Sequence, residues 1–183
     1  MVLQEFKELH TKRLDLKPLV ATFEFANYLF NLIAKNRDFF RFMPFVSVEK
    51  PEDEFDFLRR AEETWKNRNA AQYGMFLRKT GEFVGVCSIF DLSSRRESGE
   101  LGYWLDPKYA NKGYMTEAVN AITNEFFKMG FKRIVIKANP KNITSCKVAE
   151  KCGFIKEGLM KSVEFNPYLK KREDFVLYAK IKK

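Results

Sequence analysis

The sequence predicts an α/β fold built on one mixed sheet. Two observations carry that reading: a strand, loop, helix, strand crossover between Glu100 and Ile136, and a run of three short β-type segments of which the last opens that crossover. The stretch Ala21 to Lys35 places Phe23, Phe25, Ala26, Leu29, Leu32 and Ile33 at helical spacing. Pro51 to Arg68 opens with Pro, suited to a first helical turn, followed by acids that complement a helix N-terminus. Two helices are therefore expected to precede the sheet. Gln72 to Leu77, Phe83 to Phe90 and Glu97 to Leu105 read as a meander, turning at Lys79-Thr80-Gly81-Glu82 and again at Leu92 to Arg96.

Asp106-Pro107 closes the third strand, because Pro cannot donate to a ladder. Asn111-Lys112-Gly113-Tyr114-Met115-Thr116-Glu117-Ala118 is a basic, glycine-containing turn feeding an amphipathic helix with Met115, Ala118, Val119, Ile122, Phe126 and Met129 on one face and Gly130 at its end. A helix N-terminus offers unpaired N–H groups and partial positive charge, so this turn suits a phosphate or pyrophosphate. It matches neither the dinucleotide-binding nor the Walker glycine pattern, and an ordinary capping turn is the competing reading. Ile134-Val135-Ile136 is the next, buried strand. A polar loop and short helix run from Asn139 to Cys152, Gly153-Phe154 leads into a strand from Phe154 to Lys161, and Asp174 to Ile181 is the last.

Composition narrows the function classes. At 183 residues, 45% hydrophobic and with 19 Phe, the chain has ample material for a core, and a single domain over residues 1–183 is the simplest expectation. No stretch approaches the roughly 20 apolar residues that span a bilayer, and residues 1–7 do not read as a secretory signal, so no membrane partner and a cytoplasmic location are expected. Cys87, Cys146 and Cys152 form no C-x-x-C pair and read as buried small hydrophobes rather than a disulfide or metal set. The one histidine, His10, lies far from both polar loops, which leaves little for a His triad or metal centre. The formal charge of +9 favours anionic ligands. The basic residues are scattered, however, and Lys170-Lys171-Arg172 is bracketed by Glu164 and Glu173-Asp174, so no dedicated nucleic-acid site is expected.

Two separated blocks point to a family: Tyr103-Trp104-Leu105 through Lys112-Gly113-Tyr114-Met115-Thr116-Glu117-Ala118, and Asn142 through Ser145 to Lys151-Cys152-Gly153-Phe154. Together they resemble the GNAT N-acetyltransferase superfamily, nearest its RimJ/RimL-type ribosomal-protein branch. Thr11 to Leu16 is similar to that branch's first strand, and Arg41-Phe42-Met43-Pro44-Phe45 to its aromatic-proline turn. The resemblance implies a GNAT-like fold: a sheet antiparallel at first, helices on both faces, and parallel fourth and fifth strands that splay to admit the pantetheine arm of acetyl-CoA. The chain departs from the pattern at three places. Ala110 stands for a Gln or Arg of the phosphate loop, Met115 for its last small residue, and Ala149 for a tyrosine able to protonate the departing thiolate.

What the resemblance implies for the site is specific. Leu105 would supply a backbone donor to the thioester oxygen, and Lys112, Gly113, Tyr114, Met115 and Thr116 would hold the pyrophosphate. Asn142 would bond the pantetheine or the loop backbone. Ser145 would lie near the cofactor sulfur, with helix capping as its rival role. Glu164, between apolar neighbours able to desolvate it, matches a carboxylate implicated as base, against the alternative of an exposed strand-end acid. Phe42 and Phe45 are the candidate groove residues. The expected reaction moves an acetyl group directly to an amine, most plausibly a protein N-terminal α-amino group. Small amines such as polyamines or antibiotics are the enzymatic alternative, and a non-catalytic acyl-CoA-binding or ribosome-associated module is the other. No metal is needed, a ribosomal-protein contact fits the branch, and a homodimer is plausible.

Overall fold

The computed structural model describes residues 5–183; residues 1–4, part of the segment read above for a secretory signal, lie outside it. Among the described residues the elements run β1 (Leu9–His10), β2 (Leu14–Pro18), α1 (Phe23–Lys35), α2 (Pro51–Lys66), β3 (Ala71–Leu77), β4 (Phe83–Ser93), β5 (Ser98–Leu105), α3 (Tyr114–Lys128), β6 (Arg133–Ala138), α4 (Ile143–Lys151), β7 (Ile155–Asn166) and β8 (Lys171–Ile181). They form one eight-stranded sheet in the order β1-β2-β3-β4-β5-β6-β8-β7. Every pairing is antiparallel except β5 with β6. No helix among these residues is long and apolar enough to cross a membrane.

Helices cover both faces. The apolar stripe predicted for α3, with Met115, Ala118, Val119, Ile122 and Phe126, packs on one face against Leu14, Met75, Cys87, Ile89 and Leu101, joined by Ala149 of α4. The other face holds Ala26 and Leu29 of α1 and Leu58 and Ala61 of α2 against Phe83 and Val86. Strand β4 serves both cores through a bulge. Met75 pairs with Gly85 and Phe76 with Phe83, so Val84 has no partner across the ladder. The extra residue sends Val84 and Cys87 to the α3 face and Phe83 and Val86 to the α1/α2 face.

The sequence expectations need three adjustments. The sheet begins before the helices: β1 and β2 precede α1, so α1 and α2 interrupt the sheet rather than precede it. The first long strand starts at Leu14, because Thr11 turns the chain back, its N–H donating to Leu14 O at 2.8 Å. Strand β7 continues past Lys161 to Asn166, carried by the ladder from β8; its mostly exposed side chains leave no alternation to read. Along it, Ser162 adopts φ 52° and its N–H donates to Asp174 at 2.9 Å. All three cysteines are buried, and His10 is an exposed residue bonded to Asp15 at 2.7 Å.

At Gly85, β4 runs close against β5. A Cβ there would sit 2.3 Å from Trp104 O and 2.8 Å from Leu105 Cα, both backbone atoms that cannot swing aside. Gly85→Ala is expected to destabilise the fold by ~2–3 kcal/mol, the upper range for overpacking, read as a lower midpoint in urea unfolding at unchanged slope.

Candidate active site

The parallel pair β5–β6 is short. Ser98 to Leu101 pair with Arg133 to Ile136, and the pairing stops there although both strands continue. Beyond that point β5 stays bonded to β4 through Leu105, and β6 to β8 through Ala138, so the two strands part. Asp106 donates to Val84 O at 2.9 Å on the β4 side. Strand alternation therefore turns the Leu105 N–H to the parted edge, where it is a free donor for an oxyanion.

The register defines what stands on each side of this gap. Glu100, Gly102 and Trp104 share a face with Val86, Ser88 and Gln72, beneath α1 and α2; Leu101 and Tyr103 face α3 and α4. A cleft of about 730 Å³ passes between the two sides. Its wall includes Tyr103, Asn142 and Ser145 on the α4 side, and Phe42, Phe45, Glu54, Glu100 and Glu164 on the other.

The loop before α3 is built as expected. Gly113 adopts φ 77° and forms the N-cap of α3 without a side chain to cap it, so the first N–H groups of the helix stay open. Lys112 and Gly113 are exposed, Tyr114 and Thr116 half-buried. The Met115 side chain is buried in the core, as its place on the apolar stripe predicts, which leaves its backbone N–H as the group able to meet a ligand. Arg13 braces the loop. Its Nε donates to Glu117 at 2.6 Å, its NH1 to Lys112 O at 2.8 Å, and its guanidinium lies 4.4 Å over the Tyr114 ring. Burial alone would raise the Glu117 carboxyl, but donors from Thr11 and Arg13 outweigh it and hold the group below its ordinary range.

At the start of α4, Asn142 is the N-cap, its side chain accepting from Ser145 N at 3.2 Å. The capping role considered for Ser145 therefore belongs to Asn142. The Ser145 hydroxyl instead donates to the Tyr103 hydroxyl at 3.3 Å, and Tyr103 donates to Ser145 O at 3.1 Å. Burial keeps the Tyr103 phenol well above its ordinary value, hence protonated. Phe42 and Phe45 both line the cleft; Phe45 packs on Trp104 at 5.5 Å between ring centroids. Glu164 reaches the cleft wall but is exposed, with Val163 and Phe165 exposed beside it, so the apolar enclosure expected for it is absent.

The structure thus brings Phe42, Phe45, Glu164, Asn142 and Ser145 to one cleft. Leu105 is the last residue of β5, and residues 112–116 follow it at the start of α3. Sequence reading passed over Tyr103, Glu100 and Glu54. Glu100 is paired with Lys137 at 2.6 Å, and desolvation still raises its carboxyl. Glu54 lies on the buried stripe of α2 with Leu58 and Ala61, at i, i+4 and i+7, and this spacing was the available signal. It is 3% exposed, and desolvation, then the neighbouring Asp53, push it up to about 7 against a lowering by Arg60.

Comparison with known proteins agrees with this fold. The acetyltransferase (GNAT) domain profile matches residues 13–155. A ribosomal-protein-serine acetyltransferase of Escherichia coli (strain K12) is 31% identical over 165 residues, covering 84% of this chain and 85% of that protein. The structure of the microcin C7 self-immunity acetyltransferase MccE, in complex with acetyl-CoA and AMP, superposes with a TM-score of 0.83 at 25% identity, covering 94% of each chain. RimL, a ribosomal-protein α-N-acetyltransferase in complex with coenzyme A, shares the fold at a TM-score of 0.84 and 24% identity, over 96% of this chain and 98% of its own.

The Glu54 carboxyl titrates near 7 when folded and near its ordinary 4.5 when unfolded, so between these values the folded chain binds more protons and loses stability as pH rises. Glu54→Gln should therefore unfold at a higher denaturant concentration than the parent at pH 8, by about 3 kcal/mol at most, and the difference should shrink as pH falls and vanish below about pH 4.

Proposed function

Because the chain belongs to the acetyltransferase (GNAT) family, we propose that it carries an acetyl group from acetyl-CoA to an amine, with the α-amino group of a protein N-terminus as acceptor. The observation that carries this reading is the parted β5–β6 pair, with an uncapped α3 N-terminus on one side and an aromatic, carboxylate-bearing chamber on the other. The open N–H groups at Gly113 to Thr116 and the Lys112 ammonium suit a pyrophosphate, and the gap suits a narrow chain passing between strands. Acetyl-CoA, when bound, supplies an acyl carbon already activated as a thioester.

The residues divide the work by side. The Leu105 N–H stabilises negative charge on the acyl oxygen. Ser145, linked to the protonated Tyr103 hydroxyl, offers a proton at the α4 side, in place of the tyrosine absent at Ala149. Phe42 and Phe45 shape the acceptor chamber, and Glu164 at its exposed rim is the sequence-derived candidate for drawing in the ammonium and taking its proton. An α-amino group, with pKa about 8, asks less of such a base than a lysine at about 10.4.

The E. coli relative, named for a ribosomal-protein serine, supports a protein acceptor. A small-molecule acceptor is the second reading, favoured by the likeness to a microcin self-immunity enzyme. A cytoplasmic homodimer of single-domain subunits in contact with ribosomal protein completes the proposal. The dimer draws support from exposed Ile155, Leu159, Val163 and Phe165 along the sheet's outer strand β7.

Calorimetric titration is expected to give saturable acetyl-CoA binding and none with ATP; Gly113→Asp, which adds an anion at the loop, should weaken acetyl-CoA at least about tenfold. Unchanged affinity in that variant would put the cofactor elsewhere. Thiol release with a panel of acceptors should favour peptides with free N-termini over polyamines, and the reverse order would select the second reading.

A further inference from the structure

The acidic residues around the cleft differ in what meets them. Glu100 is neutralised by Lys137 at 2.6 Å. Glu173, on the neighbouring wall, is buried but accepts from Asn139 and pairs with Lys171 at 3.2 Å. Glu164 and its water-exposed rim need no partner. Glu54 is 3% exposed, lines the cleft, and among the described residues no hydrogen bond or ion pair reaches its carboxylate.

A buried carboxylate without a partner is disfavoured, and apolar side chains occupy the equivalent places one and two turns on, at Leu58 and Ala61. Its place in the first turn of α2 favours an acid, but Glu52 and Asp53 already serve that end from more exposed positions, and the burial of Glu54 adds a desolvation cost that they avoid. Glu54 is available to a cation that comes from outside, and the aromatic side chains sharing its wall, Phe57 and Phe45, would shield the pair from water. The charged groups facing it are Asp53 and Arg60 on its own helix, and Glu100, Lys137 and Glu164 across the cleft; Gln72 and Ser88 below it on β3 and β4 are neutral.

We infer that Glu54 is the carboxylate that receives the acceptor's ammonium group and takes its proton before acyl transfer. The inference rests on the acetyl-transfer reading above and names a residue on α2 for a step that the sequence assigned to Glu164. One proton passes from the ammonium nitrogen to a Glu54 oxygen, freeing the nitrogen lone pair. The nitrogen then bonds to the acyl carbon of the thioester, the C–S bond breaks with its electron pair leaving on sulfur, and the sulfur takes the Ser145 hydroxyl proton, which solvent replaces. The amide nitrogen sheds its second proton to solvent, as Glu54 later does. A carboxyl poised near 7 is well matched to an α-amine with pKa about 8, since neither proton position is strongly favoured.

The test compares the unaltered protein with Glu54→Gln and Glu164→Gln, following thiol release against pH with one peptide acceptor. The unaltered protein should show a kcat limb rising through neutral pH. In Glu54→Gln that limb should disappear and kcat fall by about 100-fold or more, while acetyl-CoA affinity by calorimetry stays unchanged, which reports an intact fold. Glu54→Gln keeping the limb, or the limb vanishing in Glu164→Gln instead, would overturn the inference. A readout independent of turnover is the carboxyl 13C resonance of Glu54, assigned by its loss in Glu54→Gln and titrated with and without ethylammonium. Bound ammonium should move its titration to lower pH; an unmoved titration rejects Glu54 as the receiving group. If no amine is acetylated by the unaltered protein, the acetyl-transfer reading fails, and the resonance still decides whether Glu54 binds an ammonium group.

Discussion

The separation of β5 from β6 is the constraint on which the rest of the molecule depends. A parallel pair with helices on both faces would ordinarily stay bonded along its length, since every unpaired N–H and C=O inside a sheet forfeits a partner. Here four residue pairs are kept and the remainder is given up. Each strand is held from its outer side: β5 by β4, through the close approach at Gly85, and β6 by β8, whose ladder runs the full length of β6. The gap is therefore a product of two intact hairpin-like pairings pulling in different directions, not of weak strands.

That geometry sorts the side chains. Because successive residues of β5 point to opposite faces, Tyr103 meets α4 while Gly102 and Trp104 meet the aromatic chamber. Proton donors collect on one side, at Tyr103 and Ser145, and carboxylates on the other, at Glu54, Glu100 and Glu164. The division gives the cleft a chemical polarity: one side can hand a proton over and the other can take one up.

Much of this was legible from residue order alone. Helix α3 and its glycine loop were readable because six apolar residues repeat at helical spacing and Gly113 sits where a left-handed conformation is needed. Phe42, Phe45, Asn142, Ser145 and Glu164 all reach the cleft. The hydrogen-bond partner of Ser145 was not readable, since Tyr103 lies 42 residues away and only tertiary packing joins them. The length of β7 was hidden because an outer strand with both faces largely wet carries no alternation. Glu54 was visible as an acid and misfiled by context: in the first turn of a helix an acid already has a sufficient reason to be there, and its coincidence with the Leu58–Ala61 stripe went unused.

The bracing of Glu117 by Thr11 and Arg13 carries one last consequence, for the time order in which the molecule is made. Those contacts join segments more than a hundred positions apart in the chain, Arg13 to Glu117 spanning 104. Closing so long a loop comes late, after local helices and adjacent hairpins have formed. The N-terminal end of α3 is thus organised by a contact between the chain's first hairpin and a segment past its midpoint. Both segments precede β6, β7 and β8 in the chain, so the brace can close as soon as Glu117 has left a ribosome, while the far side of the sheet is still being made.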